Sequence, residues 1–336
     1  MNQDHEWILE QAKILYGVNP DHEITMGGTN NRIFEVRDGQ TAYILRASEY
    51  SRDREEHTAF ELKWVAYLSS YLKGIVRPQR SKNGSLYEVI STADKAYILC
   101  LLEKAPGKIV DANHPNEFHQ ELFFHLGALM GDMHRLTVSY EGNIRKPAFE
   151  WTGSANSWRY ENPILDEDVR RCQKKYYDEL CTLPISKENY GIIHWDIHTD
   201  NFFVDNGKIK IFDFDACQFN WYTADMASAI FFMVLKGAGP LTHKSEKERT
   251  AFAEAYVISY LKGYMETNRT SEYWIRNIDR FIQYQMCDEY LAAQDFWPAE
   301  LADQRDWYLN WHKERITKGL PYVLIDYDKV VGSLPI

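Results

Sequence analysis

Cysteine is scarce in this chain: five in 336 residues (Cys100, Cys172, Cys181, Cys217 and Cys287), odd in number and with no CxxC pair. That spacing excludes a disulfide scaffold and a zinc or redox centre of the CxxC type. Reduced, partly buried thiols are expected instead. Long apolar runs are also missing. The longest, Ala227 to Leu235, is far short of the ~20 residues a membrane helix needs. The opening stretch MNQDHEWILE carries charges and lacks the apolar centre of a signal peptide. A cytoplasmic protein with no membrane partner is expected. Basic residues are in deficit, with Lys+Arg at 38 against Asp+Glu at 49 and a net charge of −11. No basic stripe is present, which argues against a nucleic-acid partner. The acidic balance favours a cationic small substrate. There is no repeat and no low-complexity tract.

What is present divides the chain into two. Residues 5–16 read as an opening helix. Glu23–Met26 reads as a short strand leading into GGTNN (27–31), Arg32–Arg37 as a strand, and Thr41–Arg46 as its return across Asp38-Gly39, a hairpin signal. A helix is expected from Asp53 to Lys73, with Trp64, Val65, Leu68 and Leu72 as its apolar stripe. Strands follow at Leu86–Ile90 and Ala96–Leu102. EKAPGK (103–108) reads as a linker. Beyond it the pattern is mostly helical (115–136, 166–181, 223–235, 246–267, 272–295 and 299–318), with a compact β segment at Tyr190–Phe214. The expected class is α+β and bilobal: a β-rich N-terminal lobe at 1–103 and a helical C-terminal lobe at 104–336, with a ligand cleft between them.

The β segment reads HWDIHTDNFFVDNGKIKIFDFDA from His194 to Ala216. Asn206-Gly207 is a strong two-residue hairpin turn. Folding there sets Asp205 opposite Lys208 and Val204 opposite Ile209, and it carries Asn201 to the open end beside Asp213. Strict alternation would send Asn201 and Asp213 to opposite faces, but both lie where the chain leaves the ladder. Asp196 sits just upstream, in the loop leaving strand 192–194. Amide and carboxylate oxygens suit Mg²⁺, which is often completed by phosphate. A further, unligated Asp can orient a hydroxyl and take its proton. His-x-Asp-x-x-x-x-Asn followed by Asp-Phe is the pattern of phosphoryl transfer.

The N-terminal segment carries a second, independent set of signals. Gly27, Gly28 and Thr29 lie between strands, where backbone N–H groups can cover phosphates. Counting from Asp38-Gly39 pairs Arg37 with Gln40 and Asn31 with Arg46, so Arg46 emerges beside the glycine loop as a phosphate-binding cation. Glu61 lies in register with the apolar stripe of the long helix. A buried acid wants a partner, and Arg46 is the expected one. Glu56, on another face, is the second choice.

With these residues in view, the chain resembles the aminoglycoside phosphotransferase and choline kinase family, relatives of the protein kinases. GGTNNRIFEV, YILRAS, ELKWVAYL, MGDMHRL, HWDIHTDN, IFDFDA and ADMASAI carry the likeness over most of its length. The resemblance implies a protein-kinase-like fold that binds ATP and Mg²⁺ between its lobes and phosphorylates a small-molecule hydroxyl, as in aminoglycosides, choline or homoserine. Asp196 would be the base, Asn201 and Asp213 the Mg²⁺ ligands, and Arg46 the counterpart of the usual Lys. Asp225 and His134 would brace the loop. Two departures stand out. Trp195 occupies the place where the family usually has Gly, and Asp215 follows Phe214 where protein kinases have Gly. Trp195 and Asp288, an acid on the stripe Phe281, Tyr284 and Leu291, are the candidates for the acceptor side. Other readings stay open here. One is a protein Ser/Thr kinase or a nucleotide-binding pseudokinase of the same fold. Another is a hydrolase in which His194, Asp196 and His198 hold Zn²⁺.

Overall fold

Between residues 31 and 49 two strands fold back on each other at Gly39, whose φ is +56°. The computed structural model describes residues 3–24, 31–152 and 161–335; Gly27, Gly28 and Thr29 lie outside them. The chain divides into two units: Met1–Lys108 with Phe203–Asp215, and Ile109–Phe202 with Ala216–Ile336.

In the first unit, helix α1 (Gln3–Tyr16) precedes strands β1 (Asn19–Ile24), β2 (Asn31–Asp38) and β3 (Thr41–Glu49). Helix α2 (Arg52–Tyr71) follows, then β4 (Pro78–Gln79), β5 (Glu88–Ser91) and β6 (Ala96–Glu103). The sheet runs β1-β2-β3-β6-β4, with β5 also on β6, and the pairs are antiparallel. Alternation sends Phe34 and Val36, Leu45 and Ala47, and Tyr97, Leu99 and Leu101 to one face, where Ile8 and Ala12 of α1 cover them. Arg46 and its cross-strand partner Cys100 take the other parity, and there Arg46 meets α2 through Glu61.

The hairpin register differs from the count above. Asp38 pairs with Thr41, Ile33 with Arg46, and Asn31 with Ser48. The sequence count put Gly39 second in the turn, whereas it stands first, as in type II′ turns. That moves the pairing by two residues, so parity is kept and Arg46 stays on its predicted face. Asn206-Gly207 behaves as expected. Both φ values are positive, +48° and +78°, as type I′ requires, and β8 (Phe202–Asp205) pairs with β9 (Lys208–Ile211).

The second unit is helical: α3 (Gln120–Val138), α4 (Glu167–Leu180), α5 (Tyr222–Ala238), α6 (Glu246–Thr267), α7 (Glu272–Asp295), α8 (Arg305–Lys318) and α9 (Tyr327–Gly332). Strands β7 (Tyr190–Ile193) and β10 (Gln218–Trp221) pair antiparallel within it. Helix α3 begins later than the expected 115. Asp111 accepts from the Asn113 N–H and Glu117 from the Asp111 N–H, so this polar stretch satisfies its backbone in turns. The expected helix 299–318 is broken as well: Ala299–Gln304 is a 3₁₀ segment, non-helical at Leu301, ahead of α8. Glycines let α3 and α6 approach closely. A methyl on Gly127 would lie 1.9 Å from the Tyr260 carbonyl oxygen, and one on Gly263 1.8 Å from that of Phe124. The apolar run noted above falls in α5. The segment Tyr222–Thr242, which begins with α5 and runs past its end, is long and apolar enough to span a membrane, yet 78% of its most apolar stretch is buried in the protein. It is a core helix.

Gly107 sets how closely the linker meets the β8–β9 hairpin. Its φ is +91°, and a methyl there would lie 2.3 Å from the Val204 carbonyl oxygen. Lys108 and Val204 exchange backbone hydrogen bonds at this point. Gly107→Ala should destabilise the protein by about 1–3 kcal/mol, read as a lowered Tm. Gly39→Ala, also at positive φ but with nothing within 4 Å, should cost less. Equal losses in the two variants would show that the close approach is not what the glycine serves.

Candidate active site

The HWDIHTDN loop begins where β7 ends, so its backbone N–H groups leave the sheet ladder and need other acceptors. Asp225, in the first turn of α5 and fully buried, supplies them. Its Oδ2 accepts from the His194 N–H at 3.1 Å and its Oδ1 from the Trp195 N–H at 2.7 Å. His134 Nε2 lies 3.0 Å from the same carboxylate, and its Nδ1 lies 3.0 Å from the Tyr264 hydroxyl. Ser228 donates to the Trp195 carbonyl at 2.6 Å. The backbone at Trp195 is thus held from both sides in a left-handed conformation, φ +72°. Glycine adopts that region freely, and a residue with a β-carbon costs roughly 1–2 kcal/mol there. This gives a physical reason why glycine suits that place in the family pattern.

The turn at Trp195 projects Asp196, whose side chain is 38% exposed. Asn201 donates through Nδ2 to the Asp196 carbonyl at 2.8 Å and to its Oδ2 at 3.0 Å. Because the amide nitrogen is engaged there, Asn201 presents its carbonyl oxygen elsewhere as a hard donor. The His198 ring lies between two carboxylates, 3.4 Å from Asp196 Oδ2 and 3.5 Å from Asp200 Oδ2. Lys236 closes the row on Asp200 at 3.2 Å. Burial would push the Asp196 carboxyl up, but hydrogen bonding and charge from His198, with help from His194 and Asn201, hold it below the usual range. Burial likewise opposes charge on His198, yet hydrogen bonds to Asp196 and Asp200 raise it to about 10. The loop therefore carries an ionised, solvent-facing carboxylate of fixed direction.

In the first unit, Arg46 and Glu61 form a buried, two-pronged pair, with Nη1 to Oε1 at 2.9 Å and Nη2 to Oε2 at 2.5 Å. Glu56 is exposed and pairs with Arg52 instead. Asp215 lies 2.7 Å from Arg54 Nη2 and 3.7 Å from Arg46 Nη1. Burial alone would raise the Asp215 carboxyl, and the two arginines outweigh it. Asn31 donates to Asp215 Oδ2 at 3.2 Å and accepts from Ser48 at 2.6 Å. Asp213 is exposed in a left-handed turn, φ +61°, which Asp tolerates better than most residues. Next to it Phe214 is buried edge-on against Trp64.

The structure thus joins Arg46 to Glu61 and Asp196 to Asn201. It gives Asp288 a partner on α4, since Gln173 Nε2 donates to it at 2.9 Å. Arg54, Asp200 and Lys236 were not singled out in the sequence. Arg54 stands seven residues before Glu61, two helical turns along one face, and that spacing could have marked it. The His-x-Asp-x-His cage does not form in the described residues: the His194 ring accepts the Asp196 N–H at 3.3 Å. Their convergent metal-capable group is His57, Glu61 and Asp215, within 4.8 Å of one another, and Arg46 and Arg54 already share its carboxylates.

The sequence profile of the "Phosphotransferase enzyme family" matches residues 23–271. Amicoumacin kinase of Bacillus subtilis (strain 168) is 28% identical over 333 residues, covering 97% of this chain and 96% of that one. Homoserine kinase of Neisseria meningitidis serogroup B is 27% identical over 214 residues, covering 62% of this chain and 64% of that one. A solved structure, amicoumacin kinase hAmiN in complex with AMP-PNP, Ca²⁺ and Ami, superposes with a TM-score of 0.83 at 25% identity, over 97% of both chains.

If Asp225 is what holds the loop, Asp225→Ala leaves His134 and two backbone N–H groups without their acceptor. A loss of about 3 kcal/mol or more is expected, read as a lower urea midpoint. Asp225→Asn, which keeps one oxygen, should lose less. An unchanged midpoint in Asp225→Ala would assign the loop's conformation to something else.

Proposed function

Since the chain belongs to the phosphotransferase enzyme family, whose members include kinases of small molecules, we propose that it moves the γ-phosphoryl group of ATP, with Mg²⁺, to a hydroxyl of a small, amine-bearing acceptor. The observation that carries this reading is Asp196, ionised, solvent-facing and aimed by Asn201. The cationic character of the acceptor rests on the chain's net charge of −11. The full-length likeness to amicoumacin kinase favours an acceptor of that class.

In the reaction, Asp196 orients the acceptor hydroxyl and takes its proton as the oxygen attacks phosphorus in line with the leaving group. Asn201 Oδ1 and the Asp213 carboxylate would hold the metal; oxygen donors of this kind fit Mg²⁺. When bound, the ion offsets charge on the phosphate oxygens. Arg46, oriented by Glu61, is the phosphate-facing cation of the reading; Gly27, Gly28 and Thr29 would belong to the same nucleotide site. Trp195 lines the acceptor side beside the base.

Asp196→Asn should lower kcat by about 10³-fold or more, while the Kd for ATP analogue stays within a few-fold of wild type. Wild-type turnover in this variant would remove Asp196 from the base role. Trp195→Gly relieves the backbone and should leave Tm unchanged or slightly higher, while raising KM for the acceptor and not for ATP. A rise in KM for ATP alone would take Trp195 off the acceptor side.

A further inference from the structure

Asp215 joins parts of the first unit that are distant in sequence. Asn31, the first residue of β2 after the glycine loop, reaches it from 184 positions away. Arg54, in the first turn of α2, reaches both: its Nη2 lies 2.7 Å from Asp215 Oδ1 and 2.9 Å from Asn31 Oδ1. Asn31 Nδ2 returns to Asp215 Oδ2 at 3.2 Å, so the three side chains close a ring. Ser48 of β3 seals it by donating to Asn31 Oδ1 at 2.6 Å, and Arg46 Nη1 stands 3.7 Å from Asp215 Oδ1, the oxygen that Arg54 takes.

We propose that Asp215 is a positioning residue of the nucleotide site. On the kinase reading, this one carboxylate ties Asn31, at the start of β2, to the Asp213 turn, with Arg54 as the clasp. Arg46 is already matched by Glu61 through both prongs. Arg54 has Asp53 and Glu55 beside it in the first turn of α2, yet the carboxylate on its Nη2, at 2.7 Å, is that of Asp215. Asn31 is fixed because its amide donates to one member of the ring and accepts from the other. Removing either Asp215 or Arg54 opens the ring and releases Asn31 at the start of β2. It also releases the segment that carries Asp213 two residues away. A glycine at position 215, as in protein kinases, could make none of these contacts.

The test is calorimetric binding of AMP-PNP, with and without Mg²⁺, to wild type, Asp215→Asn, Arg54→Gln and the double variant. Each single substitution should raise Kd by about tenfold, in parallel with and without the metal. The double variant should bind no worse than the weaker single, because both remove the same ring. With nucleotide saturating, kcat should fall much less than affinity. Arg54→Gln is partly exposed at a helix start, so it tests the ring even if Asp215→Asn folds poorly. Unchanged Kd in both singles would overturn the proposal, and so would additive losses in the double. A loss seen only with Mg²⁺ would make Asp215 a metal ligand and also overturn it. Wild-type protein that bound no nucleotide would overturn the kinase reading itself.

Discussion

A loop that carries chemistry must leave the hydrogen-bond ladder of its sheet, and the N–H groups it frees must find acceptors before the loop can hold a shape. Here one buried carboxylate, Asp225, accepts from two consecutive N–H groups and from His134. The direction of Asp196 depends on it. So does the conformation of Trp195, whose left-handed backbone persists because both its N–H and its carbonyl are pinned. Strain of roughly 1–3 kcal/mol survives in a folded protein only where the surroundings over-determine it. That condition is met here by groups on α3 and α5.

The same principle governs the charges. None of the charged groups that matter stands alone. Arg46 has Glu61, Arg54 has Asp215, His198 has Asp196 and Asp200, and Asp200 has Lys236. Such pairs add little net stability when buried, because desolvation offsets the attraction, whereas breaking one costs about 3–5 kcal/mol. Their service is orientation. Asp196 shows the consequence: burial would favour its neutral form, and the neighbouring His198 keeps it ionised.

Much of this was legible in the sequence where the physics is local. Asn206-Gly207 set a type I′ turn. Helical register placed Glu61 on the buried face of α2, and the pair with Arg46 followed. Local rules failed where two local solutions competed. Gly39 took the first turn position instead of the second, which moved the register by two residues and gave Asn31 to Ser48. Asp111 and Glu117 closed turns that delayed α3. What could not be read locally is what depends on distant segments. Trp195 stood out as a departure, but its φ arises from Asp225 and Ser228, thirty residues on. Asp288 stood out as an acid on an apolar stripe, but its partner Gln173 lies on another helix. Asp215 also stood out, and its ring with Asn31 and Arg54 needs three elements folded together.

The most direct test of the account is mass spectrometry of hydroxylated amines, amicoumacin and homoserine among them, after incubation with the protein, ATP and Mg²⁺. The account predicts that an acceptor gains the mass of one phosphoryl group while ATP is converted to ADP in equal amount, and that Asp196→Asn yields neither. Equal phosphorylation by wild type and Asp196→Asn would contradict it, as would a chain that binds ATP but leaves every acceptor unmodified.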